Sequence, residues 1–266
     1  MKTILVLSML AGWQPFNTPG WLDFVEGSFD EARERGAATN TADGLALACR
    51  SGLVIGGFKQ HGSESVTSLH RALDDCEKAL ALDPDNVVAA VSYAIGIGYE
   101  AKRLRKASYV KASKERLEAL VTRLPDDPLI VAAMGGWHSA VSNAGFLARL
   151  ALGASRKEAQ EYFERAIALD GQSIGTRFEY VRFLARGDKE ERALARKELA
   201  IVLTLRPRDA AEKIMLNRLS ALMEPLESGD KKAAKNTVIE TSAFDDIDEW
   251  DEIEPYPLKP FDGQHS

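Results

Sequence analysis

Histidine and cysteine are scarce in this chain: four His and two Cys among 266 residues. None of His61, His70, His138 and His265 falls at ligand spacing with a cysteine or a carboxylate, so no built metal site is expected. The phosphate-cradling Gly-x4-Gly-Lys-Ser/Thr loop is missing, and "SGLVIGGF" has glycines but no Lys in the needed place. The His-Glu-x2-His zinc helix and the Gly-x-Ser-x-Gly elbow are missing too. These absences remove the usual routes to phosphoryl transfer, metal-assisted hydrolysis and acyl transfer. The chain therefore reads as non-enzymatic, with no catalytic residue, cofactor or metal. Positive charge is also in deficit: 34 Lys and Arg against 40 Asp and Glu give a net charge of −6. A nucleic-acid binder needs the opposite balance to neutralise phosphates. No apolar run approaches the ~20 residues that cross a bilayer, so no membrane span is expected.

With only Cys49 and Cys76, neither a disulfide framework nor a zinc set can be built. The first reading is two small buried apolar residues. The alternative is a single disulfide, open only to an exported protein. Lys2 followed by the apolar run Ile4–Ala11 looks like the start of a secretory signal, although no Ala-x-Ala cleavage site follows. The competing reading is a first element packed on the core, which Gly12, Pro15 and Pro19 keep from being a long helix. Residues 1–12 are set apart as a candidate signal-like segment, and exported (periplasmic) and cytoplasmic locations stand equally open.

What the chain does contain is a recurring helical sentence. In "ALDDCEKALALDPDN", Ala72, Cys76 and Ala79 fall on one helical face at i, i+4 and i+7, widened by Leu73, Leu80 and Leu82. Pro84 stops the helix and pushes Asp83 towards an extended conformation, and Asp85 or Asn86 can cap the next one. The pattern returns in "EAQEYFERAIALDGQS" (Ala159, Phe163, Ala166) and "ALARKELAIVLTLRPRD" (Ala195, Leu199, Val202, Pro207). It returns again in "ASKERLEALVTRLPDD" (Ala112, Arg116, Ala119, Pro125) and, more weakly, around Ala32. The anchors Ala32, Ala72, Ala112, Ala159 and Ala195 recur at intervals of about 34 residues or a little more.

Matching first helices follow the stops: "NVVAAVSYAIGIGY", "PLIVAAMGGWHSAV" and "FEYVRFLARGD". The Ala-x3-Phe-x2-Ala rhythm resembles the second helix of tetratricopeptide repeats, where small residues let the helices of a hairpin approach closely. The reading is all-α: a right-handed α-solenoid of about four to five TPR-like hairpins.

One stretch is more particular. From Gly135 to Asp170, "GGWHSAVSNAGFLARLALGASRKEAQEYFERAIALD" combines a Gly-x-Trp start, a later Leu-x-Arg (Leu147, Arg149) and a linker into the Ala159 helix. Together with "ASYVKASKERLEAL" it resembles the regulator-of-microtubule-dynamics family, whose helical-repeat architecture is shared with the TatT component of TRAP transporters. The resemblance covers roughly Gly20 to Arg208 and implies scaffolding and partner binding without catalytic residues. It carries no tubulin-specific feature into this chain.

Two charge features complete the reading. Lys102, Arg103, Arg105, Lys106, Lys111, Lys114, Arg116 and Arg123 face only Glu115 and Glu118. They form either a solvated helix face or, with Lys102, Arg103, Arg105 and Lys106 as its core, a docking strip for an acidic partner. The segment "ETSAFDDIDEWDEIEPYPLKPF" interleaves carboxylates with Phe244, Ile247, Trp250 and Ile253, a three-residue spacing that makes one apolar stripe. Solenoids need their last face covered, so this tail (242–266) is expected to cap the final repeat around Leu216–Met223, with the basic stretch as the rival dock. The repeat domain is then residues 13–241. A protein or peptide partner is expected on the concave face, with Val88, Val91, Ile95, Phe178 and Arg182 as groove candidates. The second reading is an exported small-ligand-binding or transporter-associated component of the TatT type.

Overall fold

The structure, a computed structural model, describes residues 18–143 and 146–261. The signal-like segment 1–12 and His265 lie outside the described residues. The protein is all-helical, with no strand among the described residues.

Local chemistry sets the helix ends. α4 (Gly62–Leu82) stops before Pro84, and Asn86 caps α5 (Val87–Leu104) by accepting from the Ala89 N–H. α6 (Ala107–Arg123) ends ahead of Pro125. Asp127 then caps α7 (Pro128–Ser142), whose first residue is a proline that has no N–H to lose there. Ser155 caps α9 (Arg156–Leu169) and Ser173 caps α10 (Ile174–Ala185). Asp188 and Glu191 form a reciprocal capping box on α11 (Lys189–Val202). The short α8 (Phe146–Leu152) sits inside the interval between Ala112 and Ala159 and accounts for its extra length.

These helices pack as hairpins: α1 (Trp21–Glu26) with α2 (Phe29–Ala38), α3 (Ala42–Val54) with α4, α5 with α6, α7 with α9, and α10 with α11. Ala32, Ala72, Ala112, Ala159 and Ala195 are all buried, as are Phe163 and Ala166. The interior seams of the hairpins are thus the small-residue faces that the spacing marks out.

Two features go beyond a row of hairpins touching only their neighbours. First, α1 packs against α12 (Ala210–Ser220). Phe24 and Phe29 share a buried cluster with Ala211, backed by Ile214. Arg50 on α3 donates to Asp209, the N-cap of α12, at 3.0 Å. Inside this closure lies a π-helical turn, Ile55–Lys59. Its Phe58 meets Phe178 edge-on at 6.2 Å, and Arg218 of α12 donates to the Phe58 carbonyl. Second, the last face is covered from within the chain by α13 (Met223–Ser228) and α14 (Lys231–Glu240). Leu219, Leu222, Leu226, Ala234 and Val238 pack there against Val181, Leu184 and Val202.

The tail therefore does not lie where the sequence reading put it, on Leu216–Met223. It crosses to α4, α5 and α6, the rival dock, while α12 packs on α1, α10 and α11, and α13 and α14 cover α10 and α11. The cysteines are corrected as well. Cys49 and Cys76 are bonded to each other, fully buried, and tie α3 to α4. No helix among the described residues is long and apolar enough to cross a membrane.

Candidate functional site

The most elaborate polar construction in the molecule lies where residues 243–261 run across α4–α6. The segment begins with Phe244, which is buried. Its N–H donates to the Gly57 carbonyl, and its ring rests on Tyr99 with centroids 4.5 Å apart. The two glycines of "SGLVIGGF" make the room. A Cβ on Gly56 would stand 2.9 Å from the Phe244 ring, and one on Gly57 would stand 3.1 Å away. Phe244 itself has φ +52°, the left-handed region that a bulky residue enters only under constraint. After a single 3-10 turn, Ile247–Glu249, the segment has no regular helix or strand. Ile247 and Tyr256 are buried, and Trp250 and Ile253 are half-buried against the same cluster.

Its backbone is held by side chains of α5 and α6. Arg103, fully buried, donates to the carbonyls of Trp250 at 2.6 Å, Ile253 at 2.9 Å and Glu254 at 3.4 Å. Tyr109 donates its hydroxyl to the Tyr256 carbonyl at 2.7 Å, and Arg116 donates to the Lys259 carbonyl at 3.0 Å. Lys102 donates to the carbonyls of Phe244 and Asp245. In the other direction, the Tyr256 N–H donates to Glu100 at 2.9 Å, and the Tyr256 hydroxyl donates to Asp74 at 3.1 Å.

Glu100 sits at the centre of this floor. Burial raises its pKa, but hydrogen bonds from Arg103, His70 and the Tyr256 N–H outweigh that and hold it at about 2, so it stays ionised beside Arg103. Lys102 moves the other way. Burial lowers its pKa, Asp248 and Asp245 pull it back up, and Arg182 and Arg186 push it down.

The predicted residues fall as follows. Of the docking strip, Lys102, Arg103 and Arg105 all engage the chain's own tail, Arg105 through Asp248 at 3.2 Å. Lys106 stands exposed at the start of α6. The groove candidates do not line an open surface. Val88 packs with Leu45 and Ala79, while Val91 and the half-buried Ile95 pack with Leu120 and Ile130. Phe178 is enclosed by Phe58, and Arg182, beneath the start of the tail, is bonded to Glu179 and Ser242. Val88, Val91 and Ile95 are covered by neighbouring helices α3, α4, α6 and α7, whereas the π-helical turn covers Phe178 and the beginning of the tail covers Arg182.

His138 accepts a hydrogen bond at Nδ1 from the Ser155 N–H at 3.3 Å, and its ring stacks on Tyr162. Burial lowers its pKa against the opposing pull of Glu158. Trp137 is buried and donates to the Val110 carbonyl.

Among the described residues, one set of three could offer metal-ligand atoms: His61, Asp245 and Asp246. His61 Nδ1 is 3.5 Å from Asp245 and 3.9 Å from Asp246, whose Oδ2 already accepts from the Gly62 N–H. The three side chains meet beside the start of the tail segment, where His61 is exposed and the two carboxylates are half-buried.

The sequence offered the basic stretch as the second choice of dock for the acidic–apolar stripe. As read from the sequence, the stripe stops short of Tyr256, one more step of three that would have lengthened the signal. No family model matches the chain, and no curated protein matches it.

Proposed function

We infer that the protein is a non-enzymatic scaffold that binds a protein or peptide on a TPR-like frame of helical hairpins, a right-handed solenoid in its local packing rules. The observation that carries this reading is the mode in which the frame holds residues 250–259. These residues form an irregular peptide whose carbonyls are taken one after another by Arg103, Tyr109 and Arg116. Capture of main-chain groups, combined with pockets for spaced side chains, is how helical and sheet frames recognise linear peptides. Support for the repeat reading comes from the buried alanine anchors and the hairpin order. Its likeness to the regulator-of-microtubule-dynamics and TatT-like branch belongs to the same proposal.

A second reading is favoured by one specific observation. The Cys49–Cys76 bond suits an oxidising compartment, as expected of an exported, transporter-associated component of the TatT type.

The binding reading is tested with a photo-cross-linking residue placed at Lys106 or Lys111, both exposed beside the groove, and at Lys197 on α11 as a distant control. In the protein's native cell, discrete adducts are expected from the first two positions and not from Lys197. Equal adducts at all three, or none, would refute it.

A further inference from the structure

The seat of the tail is built differently from every other covered face of the molecule. Its floor is mixed: Phe244, Ile247 and Tyr256 enter an apolar cluster with Val66, Leu69 and Ile97, while Glu100, Arg103, His70, Asp74, Tyr109 and Arg116 turn hydrogen-bonding atoms towards the tail or towards one another. If the segment left, these polar groups would be hydrated rather than orphaned. Withdrawing the tail would put Phe244, Ile247 and Tyr256 hydrocarbon into water, as withdrawing α14 would Leu222 and Val238, but it would also hand this set of polar groups back to water. Interfaces that form and part keep this polar character, whereas permanent ones resemble a core cut in half.

The recognition is also largely indifferent to side-chain identity, since Arg103 alone takes three carbonyls. What it selects is a pattern. Apolar residues arrive every third position, at Phe244, Ile247, Trp250, Ile253 and Tyr256, with carboxylates from Asp245 to Glu254 between them. The rim facing those carboxylates carries Lys102 and Arg105, both paired with Asp248. The left-handed backbone at Phe244 is a local strain that release of the segment relieves.

We propose that the α4–α6 groove is an exchangeable peptide seat. In place of the chain's own tail it takes a linear segment of another protein that carries apolar residues at every third position, separated by carboxylates and closed by a tyrosine. The tail is its tethered competitor. This rests on the binding role inferred above and names the partner's chemistry. Tethering gives the tail a high effective concentration, so a free segment enters only when the tail's own hold is weakened or the partner brings further contacts.

The probe is a fluorescein-labelled peptide with the sequence of residues 243–261, titrated by anisotropy against the full chain. Against the wild-type chain its binding is weak. Against the full chain carrying Trp250→Ala and Tyr256→Ala it binds at least tenfold more tightly, and adding Arg103→Met to that variant abolishes the gain. A variant that keeps its helical circular dichroism and its disulfide, yet binds no better than wild type, overturns the proposal.

Hydrogen exchange on the wild-type chain gives a second readout that needs no variant. The Tyr256 amide, which donates to Glu100, exchanges at least tenfold faster than the interior amides of α10. Exchange of both at one global rate shows the tail to be core and overturns the proposal. Wild-type dimers that alone take up the probe would assign the groove to tail exchange between copies, and would overturn the partner claim. Cross-links at Lys106 together with a failed peptide titration would reject the exchangeable seat while leaving the broader binding role standing.

Discussion

Helices α13 and α14 cover the end of the helical row with Leu222, Leu226, Ala234 and Val238, whereas residues 244–261 cover α4–α6 over a buried ion pair and a series of donors aimed at carbonyls. Both surfaces are shielded from water, but they are stabilised by different physics. The first gains from hydrocarbon burial, roughly 25 cal/mol per Å², and cannot be uncovered cheaply. The second exchanges hydrogen bonds with water for hydrogen bonds with a peptide, a trade whose net worth is ~0.5–1.5 kcal/mol for a neutral bond and ~1.5–3 kcal/mol for one made by a charged group such as Arg103 or Glu100. The tail adds its own apolar stripe, so it docks on hydrocarbon through Phe244, Ile247 and Tyr256 and on groups that water can also satisfy. Similar coverage thus rests mainly on hydrocarbon in one place and on hydrocarbon with a series of polar groups in the other.

The comparison can be broken or sharpened by experiment. The largest effect is expected from Leu222→Ala, which opens a cavity in the apolar wall. It should cost about 2–5 kcal/mol and lower the urea midpoint of the transition followed by helical circular dichroism. A midpoint equal to that of the wild-type chain would contradict the claim that this wall is part of the core.

Reducing the Cys49–Cys76 bond, or replacing both residues with alanine, frees a loop whose ends are 27 residues apart. It should cost about 2–4 kcal/mol in guanidinium unfolding with and without reductant. Because the pair lies beneath the tail cluster, tail amides should also lose protection, while those of α10–α14 keep theirs.

Acid should act on the seat before it acts on the wall. Glu100 has a folded pKa of about 2 against 4.5 for the free group. A depressed carboxylate contributes stability that is complete above the unfolded value and is lost as pH falls from 4.5 towards 2. In that window the Tyr256 amide resonance should shift towards its disordered position ahead of resonances from α13 and α14. A seat that holds unchanged down to pH 2 would show that Glu100 is not its linchpin. The smallest effect belongs to Arg105→Ala. Its pair with Asp248 is largely exposed, so the change should be within ~0–1 kcal/mol and should disappear in high salt.

The sequence made the hairpins legible because their signals are local. Asn86, Asp127 with Pro128, Ser155, Ser173 and Asp188 each declare a helix start through an oxygen that caps nearby N–H groups. The recurring alanines declare the seam inside each hairpin through volume alone. What stayed hidden depends on contacts between residues far apart. Val88, Val91 and Phe178 carry an apolar face whichever side of the helix row is open, so periodicity could not say that other parts of the chain enclose them. Gly56 and Gly57 looked like an incomplete phosphate loop, and their purpose shows only once Phe244, nearly 190 positions later, is seen lying on them. The cysteine pairing was open for the same reason, since nothing in a spacing of 27 fixes the distance between two helices.

The contact of α1 with α12 has a consequence for how such a molecule can arise and change. In an open stack each hairpin touches only its neighbours, folding can nucleate anywhere, and a unit can be duplicated or lost without disturbing the rest. Here Phe24 and Phe29 must find Ala211, and Arg50 must find Asp209. Closing these long-range contacts spends chain entropy before it returns any stability, which slows folding and makes it all-or-none. Inserting or deleting one hairpin would rotate α12 out of reach of α1, so change in this chain is confined to substitutions, to loops such as the one that carries α8, and to the C-terminal segment laid across the outside.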